Sequence, residues 1–406
     1  MRNKIFALLL VLNLVLGAGI FILPQKYESQ SEKRLLNTNE SIKLDAGFSR
    51  SVENVLKDQF YFRDRIVRYY YKGRILLNVY TEKLLYIPKR IYQKLFGKGD
   101  SMNNGGSIRT SFTYLAEGVV ELDDGYLING ILEYNDDEKY SASSRGYNVN
   151  EFALKHPEFR TYVYFPTRTE ELLNSEYEFH PVCQEWFIQQ LDPSIKYSSL
   201  QINDMQDFEN YYFKSDYHWN AYGAYQGYSD IINMISEDYQ IGSPKAIKKV
   251  IEYPYNFYGN IANKIDGYGS GDYIIDLELE DISDFDYYVN GEPFDFYAVK
   301  ETYRDSGNDT VYSDYDLYFG DNFFLREFDF HAEDKPDLLM FADSFSNTNM
   351  MWIASHFNKT IIIDLRAKPE DFNLSSFIKD HDIDVALVCY YYNNAYFNGN
   401  LYIPID

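Results

Sequence analysis

Hydrophobic and polar positions divide this chain into stretches of different period. Residues 5–23 are apolar apart from Asn13 and stand behind Arg2 and Lys4. At ~1.5 Å rise per residue a helix of that length nearly spans the hydrocarbon core of a bilayer. The stretch reads as a signal-anchor or transmembrane helix over 1–24. The small residues Gly17, Ala18 and Gly19 leave a cleaved signal peptide as the alternative. Polar, turn-rich residues 25–45 follow as a juxtamembrane linker. From Ser51 the apolar positions Val52, Val55, Leu56, Phe60 and Val67 recur at helical spacing. Arg63, Asp64 and Arg65 lie there as a solvated, ion-paired face. Asp124-Gly125 marks a turn ahead of a short apolar strand ending at Ile128.

Further on the pattern alternates between strand and helix. Residues 159–167 predict a strand stopped by Pro166, and 221–236 predict a helix whose apolar face carries Tyr225, Tyr228, Ile231, Ile232 and Ile235. Residues 253–330 change to short Tyr/Asp/Gly segments, read as a β-rich insertion. Apolar runs at 337–341, 360–365 and 383–389 are separated by helix-length segments near 346–357 and 369–380. This order predicts an α/β fold, a doubly wound parallel sheet with helices on both faces, within one domain over 46–406. Ligands of such sheets sit at the carboxyl ends of the strands, which here carry Asp343-Ser344 and Asp364-Leu365-Arg366.

Charge narrows the partners. Lys+Arg number 38 against 62 Asp+Glu, a formal net charge of -24. Such a surface repels phosphate backbones, so nucleic acid is not expected as a partner. The 41 tyrosines suit a carbohydrate-facing surface and equally an aromatic core. Cys183 and Cys389 form neither a disulfide framework nor a zinc motif, and whether they pair is open. No metal or cofactor is expected.

Candidate chemistry lies in two segments. In Lys214-Ser215-Asp216-Tyr217-His218-Trp219-Asn220 a carboxylate and an imidazole are two residues apart, on one side of an extended or turned chain. Asp216 can hold one imidazole nitrogen of His218 and leave the other as a base, with Trp219 beside it. In 338–345 an apolar strand runs into Asp343-Ser344, exposing a hydroxyl next to helix N–H groups able to stabilise an oxyanion. Ser344 is the candidate nucleophile. The plainer readings are helix capping by Asp343 and Ser344, capping by Asp216 with His218 stacked on Trp219, and a salt bridge from Arg366 to Asp364 or Asp343. Otherwise Arg366 binds an anionic group or supports the oxyanion. A metal held by Asp216 and His218 is a more distant alternative.

The blocks Ser215-Asp216-Tyr217-His218-Trp219-Asn220 and Phe341-Ala342-Asp343-Ser344-Phe345 resemble the DHHW family, related to the SGNH-hydrolase-like enzymes that O-acetylate alginate and other exopolysaccharides. Tyr217 replaces that family's first histidine, and Ala342 the glycine of Gly-Asp-Ser. The resemblance implies a Ser344–His218–Asp216 triad in a membrane-anchored, extracytoplasmic O-acyltransferase, most simply an O-acetyltransferase of a cell-surface glycan. It also implies a membrane-bound protein as acyl donor. A carbohydrate esterase with the same triad, and an inactive glycan-binding protein of the same fold, are the other readings. The oxyanion donors are not located by sequence.

Overall fold

The computed structural model describes residues 28–29, 34–35, 37–39, 42, 48–59, 112–115, 118–122, 125–129, 136–167, 169, 182–203, 205–265, 269, 271–298, 310–312, 323–390 and 402–405. The chain divides into two compact units, one of 1–98, 114–117 and 263–268, the other the remainder. The first contains the helix Phe48–Gln59 and a pair of two-residue antiparallel strands, Glu28–Ser29 and Arg34–Leu35. The apolar run 5–23, the Arg63-Asp64-Arg65 segment and most of the linker lie outside the described residues. Among the described residues no helix is long and apolar enough to cross a membrane.

The second unit is organised by an eight-stranded sheet and a three-stranded one. Their strands are β1 (Arg160–Phe165), β2 (Lys196–Ser199), β3 (Ile247–Tyr258), β4 (Asp272–Leu279), β5 (Asp286–Val289) and β6 (Glu292–Pro293). They continue with β7 (Thr310–Tyr312), β8 (Leu325–Asp329), β9 (Leu338–Ala342), β10 (Lys359–Ile363) and β11 (Val385–Cys389). The large sheet has the order β6-β5-β8-β10-β9-β11-β1-β2. From β10 to β2 all neighbours are parallel. β8 pairs antiparallel with β10, and β5 and β6 extend that antiparallel edge.

The expected all-parallel sheet is therefore corrected to a mixed one. Asn290 and Gly291 both take positive φ (51° and 84°), the two-residue hairpin turn that joins antiparallel neighbours only. Residues from the stretch read as an insertion thus complete one side of the main sheet, while β3 and β4 pair in the smaller sheet, with β7 beside β3.

The parallel strands are buried on both faces, which is why their sequences are continuous apolar runs without alternation. Leu339 and Phe341 of β9 pack with Val149 and Phe152 of helix α1 (Asp136–Lys155). Leu338 and Met340 face the opposite way. That layer includes Tyr228 and Ile231 of α4 (Ala221–Ser236) and Trp352 and Ile353 of α5 (Met350–Ala354). Helices α2 (Val182–Ile188) and α6 (Leu374–Lys379) join the α1 layer, and α3 (Met205–Tyr211) joins the α4 layer. Burying each large apolar side chain of β9 contributes roughly 1.5–3 kcal/mol. Cys183 belongs to one face and Cys389 to the other, and no disulfide joins them.

Candidate active site

The 214–220 segment lies against the carboxyl end of β9 because two clasps hold it. The Asp272 carboxylate, at the start of β4, accepts the N–H groups of Lys214 (2.6 Å) and Ser215 (2.8 Å) and the Ser215 hydroxyl. Burial, partly offset by these hydrogen bonds, pushes its pKa up to about 6. The N–H of Gly259 donates to Ser215 Oγ (3.0 Å), and the N–H groups of Ile261 and Ala262 to the Ser215 carbonyl. A bend made rigid in this way presents Asp216 and His218 inward.

Asp216 is fully buried, and every contact described for its carboxylate is with a donor. Oδ1 accepts from the His218 N–H (2.9 Å) and lies 2.6 Å from His218 Nδ1, and Oδ2 accepts from the Asn260 N–H (2.7 Å). Burial works to raise its pKa, but the His218 charge and hydrogen bonds, with the Asn260 N–H, outweigh it and hold the pKa below the ordinary value. Residue 259 must be glycine here: a Cβ would stand 2.4 Å from the Asp216 carboxylate.

The other imidazole nitrogen, Nε2, lies 3.0 Å from Ser344 Oγ. An ionised carboxylate can only accept, so Nδ1 carries the proton and Nε2 is the acceptor for the serine hydroxyl. Ser344 opens the 3₁₀ turn Ser344–Asn347 directly after β9. Asp343 caps that turn through its side chain to the Phe345 N–H (3.0 Å) and through its carbonyl to the Ser346 N–H (3.0 Å). Capping is thus correct for Asp343, whereas the Ser344 side chain faces His218. Asp216 is not the N-cap of α4: Asn220 is, its Oδ1 accepting from the N–H groups of Tyr222 and Gly223, while Asp216 takes up the first N–H of the helix Asn260–Lys264.

Trp219 does not stack on His218 as the sequence suggested. The imidazole packs against the rings of Tyr217 (4.3 Å) and Phe345 (4.6 Å), which also touch each other (6.2 Å). Trp219 turns into the core and donates its indole N–H to the Phe345 carbonyl (2.8 Å), tying the histidine segment to the serine turn. It lies on a flat of α4 made by Gly223 and Gly227, where an added Cβ would come within 2.8 Å and 2.7 Å of its atoms.

Arg366, the other candidate anion or oxyanion partner, makes a two-pronged ion pair with Asp364 (Nε–Oδ1 2.9 Å, Nη2–Oδ2 2.6 Å). Among the described residues no group of three or more His, Cys, Asp or Glu side chains is placed to hold a metal ion. Sequence reasoning missed Asp272, Gly259 and Asn260, which act through backbone contacts distant in the chain and carry no local signal. Asn347, whose Oδ1 accepts from the buried Arg326 (3.0 Å), was missed as well.

The molecule is thus an α/β protein with Ser, His and Asp meeting at the carboxyl edge of its parallel strands. Its fold is shared with a DHHW family protein from Eubacterium siraeum, at TM-score 0.53 and 17% identity over 71% of this chain and 95% of that one. Bacillus cereus PatB1 with a sulfonyl adduct is similar at TM-score 0.56 and 21% identity, over 68% of this chain and 95% of that one. The O-acetyltransferase domain of Pseudomonas putida AlgJ aligns at TM-score 0.37 and 10% identity, over 72% and 95%. No family model matches the sequence, and no curated protein does.

Proposed function

We propose that the protein is an O-acyltransferase, in its simplest form an O-acetyltransferase, that modifies a cell-surface glycan outside the cytoplasm. The observation that carries this is the linear arrangement Asp216–His218–Ser344, with hydrogen-bonding separations of 2.6 Å and 3.0 Å in a buried setting. Ser344 Oγ attacks the acyl carbonyl of the donor while His218 Nε2 takes its proton and then delivers it to the leaving group. This leaves an acyl-enzyme. A sugar hydroxyl, deprotonated by His218, attacks the acyl-enzyme, forming the sugar ester and releasing Ser344. Asp216 holds the imidazole tautomer and stabilises the transient imidazolium. Asp343 takes up the Phe345 and Ser346 N–H groups, which leaves the Ser344 N–H as the oxyanion donor of the turn.

The fold shared with a DHHW family protein supports the reading. So does the sulfonyl adduct of PatB1, since such adducts form where an activated nucleophile meets a sulfonyl electrophile. Residues 5–23 would anchor the chain in the membrane, and a membrane-bound protein would present the acyl group, because acetyl-CoA stays in the cytoplasm.

The test supplies an activated acetyl ester with and without an oligosaccharide and follows both acetate and sugar ester. Sugar ester formed at the expense of acetate establishes the transferase. Acetate alone at an unchanged rate makes the protein a carbohydrate esterase. Neither product from folded protein leaves a glycan-binding role.

A further inference from the structure

Beside the β3–β4 ribbon and the antiparallel edge of the main sheet lies a cavity of about 850 Å³, and none of Asp216, His218 and Ser344 lines it. Two chemistries make its wall. Phe294 and Tyr297 are 38% and 46% exposed, with Phe285, Tyr287 and Phe296 behind them. Edge-to-face packing of Phe296 against Tyr297 (5.2 Å, 86°) and Phe285 (5.7 Å, 80°) fixes these rings as a platform. Among the described residues the wall carries Asp276, Glu278, Asp281, Asp284, Asp286 and Asp295 against one cation, Lys248, which pairs with Glu278 at 2.5 Å. Asp286 also meets His331 at 3.0 Å.

Aromatic platforms accept the C–H faces of sugars, and carboxylates accept their hydroxyls. A wall so rich in acidic residues disfavours an anionic chain.

The cavity and the Ser344 site share a ribbon. One end of the β3–β4 pair, Phe257 opposite Asp272, clasps the Asp216 segment; the other, Ile247 opposite Leu279, borders the cavity. The nearest cavity residue on β4, Asp276, lies four residues of extended chain from Asp272, roughly 13 Å. Met351 of α5, just beyond the serine turn, is also in the cavity wall. The spacing suits a polymer held a short way along from the hydroxyl being modified.

We infer that this cavity is a distal binding site for the acceptor glycan and that it selects chains free of carboxylates, built of neutral or amine-bearing sugars. Only the word acceptor rests on the acyltransferase reading; the binding and its selectivity do not.

The test titrates the Ser344→Ala chain, which cannot turn over, with matched-length oligomers of glucosamine, N-acetylglucosamine and a uronic acid, by calorimetry. Saturable binding of the first or second is expected, with the uronate at least roughly tenfold weaker. Adding Phe294→Ala and Tyr297→Ala weakens the favoured oligomer by at least roughly tenfold. The same two substitutions with Ser344 intact leave turnover of a small activated acetyl ester unchanged, which shows that the fold survives. Uronate bound equally well, binding unaffected by the two substitutions, or no binding by folded protein would each overturn the inference. Oligomer binding as expected in a chain that never turns over the ester keeps the site and removes the acyltransferase reading.

Discussion

Two histidines of this protein are equally buried and similarly bonded, and only one is placed as a base. His356 is 2% exposed, with Nδ1 2.8 Å from the Ile241 carbonyl and Nε2 2.7 Å from the Tyr228 hydroxyl. Since the Tyr228 oxygen also accepts the Lys245 N–H (2.7 Å), its proton goes to Nε2, and His356 holds the same tautomer as His218. Burial first, and then the charges of Lys245 and Lys335, push its pKa down to about 4 despite the Ile241 carbonyl. His218, 1% exposed, has an ionised carboxylate where His356 has a carbonyl, and the half-buried Ser344 hydroxyl where His356 has a phenol sealed in the core. Burial and two hydrogen bonds do not make a base. A charge able to stabilise the imidazolium, and a hydroxyl that a substrate can reach, do.

Breaking that contrast at its strongest point gives the largest expected effect. His218→Ala lowers the rate of acyl-enzyme formation by roughly 10⁴-fold or more, measured by stopped-flow release from a chromogenic ester. Asp216→Asn, which keeps the shape and removes the charge, lowers the same rate by roughly 10³–10⁴-fold. Gly259→Ala pushes on the Asp216 carboxylate without touching the imidazole. A loss of roughly 10–100-fold is expected, read as a fall in kcat with KM little changed.

The smallest effect on activity belongs to His356→Gln, within about threefold of the parent, and it separates the two histidines by pH. His356 has a folded pKa of about 4 against its ordinary 6.5, so the unfolded chain takes up the proton first. Its contribution to stability is complete above about 6.5 and is lost as pH falls toward about 4, amounting to about 3 kcal/mol. Asp216, with a lowered pKa, loses its contribution only in more acid solution, as pH falls from its ordinary 3.8 through the depressed value. Denaturant titrations between pH 7 and pH 4 should show the parent losing more stability than His356→Gln. Parallel curves would contradict the assignment.

Much of this was legible because full burial leaves a plain signature. Strands β9, β10 and β11 match the expected runs within two residues, and α4 matches 221–236, with Asn220 as its cap. Ser344, His218 and Asp216 stood out because their chemistry is local to two short segments. The helix expected over 346–357 is instead a 3₁₀ turn and the short α5. Asn347 and Asn349 between them are engaged sideways, with Arg326 and with the Ala224 carbonyl (3.2 Å), bonds no local pattern announces. The antiparallel edge was hidden because β5, β6 and β8 are short and partly exposed, and Tyr/Asp-rich sequence resembles loop as much as strand. Trp219 was placed beside the imidazole by adjacency in sequence. In space its indole reaches the other half of the site.

The central claim is that His218 activates Ser344 as a nucleophile. The most direct measurement is peptide mapping by mass spectrometry after treatment with a sulfonyl fluoride, in the parent chain and in His218→Ala. The account predicts one adduct, on Ser344, in the parent and none over the same interval in His218→Ala. An adduct elsewhere, or equal labelling of Ser344 in both folded proteins, would contradict it.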